Sequence, residues 1–146
     1  GIPLIISGPG VTAGRTFEGP VTLHDLAATC LDYAGLSTME AMDSRSLRPV
    51  LTGRSAEHRP YVISGLITPR RAWHLIFDGR YKLVIIQDDP PMLFDLEEDP
   101  LENRSIVREA PSVVARLQAT LERELSGLGP ADCAADCGTC GAGCSF

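Results

Sequence analysis

Between residues 61 and 96 four short runs rich in β-branched and aromatic residues follow one another: 61–66 (YVISGL), 72–77 (AWHLIF), 81–87 (YKLVIIQ) and 92–96 (MLFDL). Gly, Pro or Asp separates each from the next, which is the punctuation of strands joined by short turns. The Asp78-Gly79 step between the second and third runs favours the tight turn of a hairpin. Connections this short cannot carry parallel crossovers, so the segment is predicted to be an antiparallel meander. A half-buried sheet of this kind needs a cover. The stretch from Pro111 supplies it, with Val114, Leu117, Leu121 and Leu125 on one helical stripe, Arg116, Glu122, Arg123 and Glu124 facing water, Pro111 in the first turn, and Gly127 and Pro130 as the stop.

The first third of the chain reads differently. Residues 2–7 (IPLIIS) form a continuous apolar run bounded by Pro and Gly, as expected of a strand buried on both faces of a parallel sheet. After a Gly-rich loop, residues 21–34 place Leu23, Leu26, Ala27, Cys30, Leu31 and Ala34 on one predicted helix face. Thr22 and Asp25 have capping-box spacing, and Gly35 can take the left-handed conformation that ends the helix. Cys30 is read as a small buried hydrophobe, and His24 and Asp25 as helix-start residues. Residues 36–60 are polar and read as a surface connector, with one helical turn at 47–51 closed by Gly53. The expected fold class is α/β, α+β in its C-terminal part: the edge of a large α/β sheet followed by a four-stranded antiparallel sheet packed by a C-terminal helix.

Composition narrows the partners. The 146 residues carry 13 Lys plus Arg against 19 Asp plus Glu, a formal net charge of −6, with no basic run. Phosphate-rich partners are met by clustered cations, so neither nucleic acid nor an anionic membrane surface is expected. No apolar stretch reaches the roughly 20 residues of a membrane span. The chain opens on Gly1 without an initiator Met, which suggests a piece of something longer and leaves localisation undetermined.

Cysteine is concentrated at one end: Cys133, Cys137, Cys140 and Cys144 crowd a Gly/Ala-rich tail that otherwise lacks core-forming residues. Four thiols at this spacing are a weak candidate for zinc or an iron–sulfur cluster. Without a ligand the tail is expected to be disordered. Elsewhere, the acidic residues Asp88, Asp89, Asp95, Glu97, Glu98 and Asp99 lack the alternation and central Gly of a calcium loop and read as solvated turn surface. No two of His24, His58 and His74 share metal-ligand spacing.

Five segments in order, IPLIISGPGV, PVTLHDLAATCLDYAGL, AMDSRSLRPVLTG, DGRYKLV and MLFDLEEDPLENRSI, followed by the final helix, resemble the C-terminal region of the formylglycine-dependent sulfatases of the alkaline-phosphatase-like superfamily. The resemblance runs from Gly1 to about Leu128, with Ala28 where the family commonly has Pro, Ser44 where it has Gly and Leu101 where it often has Gly. It implies residues 1–35 as the last strand and helix of the α/β domain, 36–59 as connector, 60–128 as the antiparallel subdomain and 129–146 as an appended tail. It also implies a parent enzyme that hydrolyses sulfate monoesters of a small molecule or carbohydrate with formylglycine and calcium.

The Cys/Ser-x-Pro-x-Arg motif that carries the family's nucleophile is absent from this sequence. No catalytic or metal residue is therefore assigned, the isolated chain is expected to be inactive, and a missing N-terminal catalytic domain is the expected partner. Loops of this region help line the family's substrate pocket, which makes Arg70, Arg71 and His74 candidate substrate-binding residues, since guanidinium groups suit anionic substrates. Two alternatives stay open: a phosphonate or phosphate monoester hydrolase of the same superfamily, and a non-catalytic structural remnant.

Overall fold

The four β-rich runs pair in sequence order in the computed structural model, which describes residues 2–37, 42–68 and 71–127. Strands β1 (Val62–Ile67), β2 (Ala72–Phe77), β3 (Tyr81–Ile86) and β4 (Met92–Asp95) form one antiparallel sheet in the order β1-β2-β3-β4. Ile63 lies opposite Ile76, Ile76 opposite Leu83, and Leu83 opposite Leu93, so a single apolar row crosses all four strands on one face.

Helix α3 (Pro111–Gly127) packs over β2 and β3 and brings Leu117 and Leu121 onto that row. Ile76, Leu83, Leu93, Leu117 and Leu121 form the core, with Val114 and Leu125 partly buried beside them. Each fully buried aliphatic side chain contributes about 1.5–3 kcal/mol by leaving water, so this five-residue cluster is the main source of sheet–helix cohesion.

The hairpin between β2 and β3 uses the expected residues in a slightly longer turn of Asp78, Gly79 and Arg80. Gly79 adopts φ +101°, and Asp78 Oδ1 accepts the backbone N–H groups of Arg80 (3.1 Å) and Tyr81 (2.7 Å). Arg116 of α3 reaches Asp78 Oδ2 at 2.6 Å and ties the cover to the turn.

The outer edge of β4 is closed: Ile106 N–H donates to Leu93 O (2.8 Å) and Leu93 N–H to Ser105 Oγ (3.1 Å). Among the described residues no backbone group pairs with the outer edge of β1.

Residues 2–7 pair with no other strand among the described residues, and Ile2 and Ile5 are 78% and 92% exposed, so a ladder for them would need a neighbour from outside these residues. One expectation for the first third is corrected. Helix α1 (Asp25–Tyr33) is shorter than the predicted 21–34. Its buried face is Asp25, Ala28 and Thr29, whereas Leu23 and Cys30 are exposed. The reason lies in what it packs against. It packs on the connector, where Thr29 Oγ1, itself donating to Asp25 O within the helix (2.6 Å), accepts the Leu47 N–H (2.9 Å).

The connector is correspondingly more than surface loop. Leu47 and Val50 are buried around the short helix α2 (Arg48–Leu51), and Arg48 Nη1 pairs with Asp32 Oδ1 at 2.7 Å. Both helices end as predicted. Gly35 and Gly53 each adopt φ +71°, and Leu36 N–H to Leu31 O and Arg54 N–H to Pro49 O complete two Schellman closures.

Candidate functional site

Asp25 opens α1, and its carboxylate is fully buried. Four donors meet it from three parts of the chain. Oδ2 accepts the Thr22 backbone N–H (2.9 Å) and lies 3.0 Å from His58 Nε2; Oδ1 accepts the Arg45 backbone N–H (2.9 Å) and a guanidinium N–H of Arg59. Only the backbone half of the predicted capping box forms, because His24 occupies the N-cap position and the Thr22 hydroxyl makes no cap bond.

Burial pushes the Asp25 carboxyl pKa upward, but the N–H groups of Arg45 and Thr22, His58 and the Arg59 charge outweigh it and hold the group below the ordinary carboxylate range. The cluster therefore locks the start of α1 to the connector and to the segment that enters β1. His58 and Arg59 were not singled out in the sequence as members of this cluster. Their one local signal is a basic pair placed where the polar connector meets the first strand.

Arg59 stands between two concavities and lines both. One, about 760 Å³, lies between Arg15–Pro20 and Ala56–Pro60. The other is a groove of about 780 Å³ bounded by Met42–Arg45, by Ile63–Ile67 of β1, by His74 of β2 and by the end of α3 at Glu124 and Leu125.

His74 reaches the groove because its partner across the β1–β2 ladder is Gly65. A Cβ at Gly65 would lie 2.6 Å from His74 Nδ1 and 2.8 Å from Trp73 O, so only glycine lets the imidazole lie there. Tyr61 donates to Glu124 Oε1 at 2.8 Å at the far wall.

The sequence-derived candidates separate in space. His74 is half-buried in the groove, while Arg71 is exposed and pairs with Asp89 at 2.6 Å outside it. Arg70 and the four clustered cysteines, Cys133, Cys137, Cys140 and Cys144, lie outside the described residues, as does the predicted tail. The acidic stretch is not uniformly solvated. Asp95 is 8% exposed and is gripped by Arg80 through Nε (3.1 Å) and Nη2 (2.7 Å), whereas Asp88, Asp89, Glu97 and Glu98 face water. Asp99 folds back on its own turn, accepting the Arg104 backbone N–H at 2.8 Å.

Among the described residues no group of three or more His, Cys, Asp or Glu is placed to hold a metal ion. The buried carboxylates of Asp25 and Asp95 are already occupied by basic and backbone donors. Among the described residues these carboxylates do not fit the calcium that the family resemblance implies.

A four-stranded antiparallel sheet under a C-terminal helix, preceded by a helix and a clamped connector, is the architecture of a C-terminal region of sulfatases. The chain belongs to the family described as N-sulphoglucosamine sulphohydrolase, C-terminal, whose model matches residues 1–129. It is 30% identical to mouse (Mus musculus) arylsulfatase K over 132 residues, covering 82% of this chain and 24% of that protein. With the choline-sulfatase of Rhizobium meliloti it shares 32% identity over 130 residues, covering 85% and 25%. The chain thus spans about a quarter of the length of the curated relatives it matches.

Among solved structures, a 2-O GAG sulfatase shares the fold with a TM-score of 0.71 at 22% identity, over 83% of this chain and 28% of that one. The phosphonate monoester hydrolase of Agrobacterium radiobacter superposes with a TM-score of 0.50 at 25% identity, over 70% and 23%.

Proposed function

We propose that this chain is the C-terminal portion of a sulfatase whose whole polypeptide hydrolyses a sulfate monoester to an alcohol and sulfate. The observation that carries the reading is the family match along residues 1–129, combined with a sequence that contains no Cys/Ser-x-Pro-x-Arg nucleophile motif. Sulfuryl transfer needs an activated nucleophile and concentrated positive charge around the transferring group. A catalytic domain outside these residues would supply both, with formylglycine and calcium. This chain's share is to frame the pocket: the Asp25 cluster fixes the connector, and Gly65 allows His74 to reach the groove wall.

In this reading the exposed apolar residues Ile2, Leu4 and Ile5 belong to a strand that the larger α/β sheet would complete, residues 36–59 connect, and residues 60–128 form the subdomain beside the pocket. A chromogenic aryl sulfate assay tests the division of labour. The 146-residue chain should give no turnover, while a longer polypeptide that includes the nucleophile motif should hydrolyse the ester. Turnover by the short chain refutes the assignment of catalysis to other residues. The likeness to a phosphonate monoester hydrolase supports a second reading, in which the scissile group is a phosphonate or phosphate ester. Parallel assays of the longer polypeptide with aryl phosphonate and aryl sulfate separate the two.

A further inference from the structure

The sheet has two apolar faces. Ile63, Ile76, Leu83 and Leu93 share the face covered by α3, and every strand residue that belongs to the core or packs against it lies on that side. The alternate residues make rows of their own on the opposite face: Leu75, Val84 and Met92 across β2, β3 and β4, and Leu66, Trp73 and Ile86 across β1, β2 and β3. The contrast in burial falls within single strands. Ile76 and Leu83 are 0% exposed, whereas Leu75 and Val84, their chain neighbours, stay partly open and Leu66 is 52% exposed. Successive side chains of a strand point to opposite faces, so the difference records what lies beyond each: α3 on one side, and among the described residues no second helix packed as α3 is on the other.

The second face is also nearly free of charge. Lys82, the one charged strand residue on it, gives its ammonium to both carboxylate oxygens of Glu102, at 2.9 and 2.7 Å. An antiparallel sheet with one face in water alternates apolar with polar residues, and β2 and β3 do not: they carry apolar side chains on both sides.

We infer that the face bearing Trp73, Leu75, Val84, Ile86 and Met92 is the surface on which the rest of the polypeptide packs. The inference rests on the reading of this chain as part of a sulfatase: it spans about a quarter of the length of the curated relatives it matches, so most of a polypeptide of their size lies outside it. Area separates that neighbour from a second copy of the chain. Four strands of at most six residues, about 4.8 Å apart with a rise of about 3.4 Å per residue, offer about 400 Å² in projection. A stable association of free partners buries about 800 Å² on each, so two copies meeting through this face fall short. A neighbour on the same chain is held at an effective concentration on the order of millimolar, and a smaller face is enough to dock it.

Hydroxyl-radical footprinting tests the assignment, because Trp73, the one tryptophan here, and Met92 are both readily oxidised and both lie on the face. The 146-residue chain and the longer polypeptide are oxidised side by side, the dose is normalised to a free reporter peptide, and peptide mapping reads each residue. Oxidation of Trp73 and Met92 should fall at least threefold in the longer polypeptide; a smaller fall overturns the inference. Protection that grows with the concentration of the 146-residue chain gives the face to a second copy and overturns it as well. Val84→Glu in the longer polypeptide puts a charge in the middle of the covered face and should return Trp73 towards the rate of the short chain, while Tyr81, on the α3 face, keeps its rate; a Trp73 that stays protected counts against the interface. Should Tyr81 rise too, the variant has unfolded and the unsubstituted comparison decides alone. The two readings fail separately: protection without aryl sulfate turnover removes the sulfatase reading and keeps the interface, and turnover without protection does the reverse.

Discussion

His58 Nε2 lies 3.0 Å from Asp25 Oδ2, and the two side chains are only 4% and 0% exposed although 33 residues separate them. With Arg59 on the other oxygen, the pair makes one carboxylate the joint between the first helix and the entry to the sheet. Asp25→Asn keeps the shape but leaves the Arg59 guanidinium, 14% exposed, without its counter-charge. Breaking a buried pair on one side costs about 3–5 kcal/mol, so urea unfolding of the variant should show a loss of that order. A loss below about 1 kcal/mol, the level of a surface pair, would show that water reaches Arg59 freely.

The same carboxylate sets a pH dependence. Its folded pKa is held below the ordinary range, so the unfolded chain binds a proton more readily. The stabilisation is present above the ordinary carboxylate range and is lost as pH falls through the folded value. Thermal unfolding scanned from neutral to strongly acid pH should show a decline that Asp25→Asn largely removes. An equally steep acid decline in the variant would assign the effect to other carboxylates, next among them Asp95, held low by Arg80, and Asp78, where burial pushes upward but Arg116 and the Tyr81 and Arg80 N–H groups outweigh it.

Asp95 and Arg80 give the useful contrast. The contact is bidentate and Asp95 is nearly buried, yet the Arg80 side chain is 43% exposed. When Asp95 becomes Asn, Arg80 can turn to solvent, and the cost should be about 1 kcal/mol, well under that of Asp25→Asn. Equal losses in the two variants would contradict the argument that access to water decides the penalty.

Gly65→Ala should shift His74 and strain the β1–β2 ladder, because the new methyl meets both the imidazole and the Trp73 carbonyl. An overpacking cost of about 1–3 kcal/mol is expected. Adding His74→Ala should recover only part of it, since the backbone contact at 2.8 Å persists. Full recovery would mean that the carbonyl yields more easily than the geometry implies.

In the longer polypeptide of the sulfatase reading, His74→Ala should raise KM more than it lowers kcat, while Arg71→Ala, whose charge is spent on Asp89 outside the groove, should change KM less. Steady-state kinetics with an aryl sulfate decide it; an unchanged KM for His74→Ala removes that residue from the pocket.

The meander and its cover were legible because their signals are local. Alternating β-formers, Asp78-Gly79 and the Val114–Leu117–Leu121 stripe each report on a few neighbouring residues, and the structure places them within a residue or two. The first third was harder to read for a physical reason. Beside the buried Ala28, Leu47 and Val50 it is tied by polar groups, and Asp25 finds Arg45, His58 and Arg59 across 20, 33 and 34 residues, a pairing that no periodicity announces. The apolar face expected through Leu23 and Cys30 belongs to a helix packed on a sheet, whereas this helix rests on a hydrogen-bonded connector. Family resemblance points to His74 as a candidate; its glycine neighbour, which makes room for the imidazole, is visible only in the strand register.

The sheet is stoppered on one flank and open on the other. Ser105 and Ile106 occupy the hydrogen-bonding groups of Leu93 on β4, while no backbone group among the described residues claims the outer row of β1 beside Leu66 and Ile67. Growth of this structure therefore has a direction: among the described residues the edge left for a further strand is that of β1, in front of the groove, and any such neighbour would become a wall of the cavity it abuts.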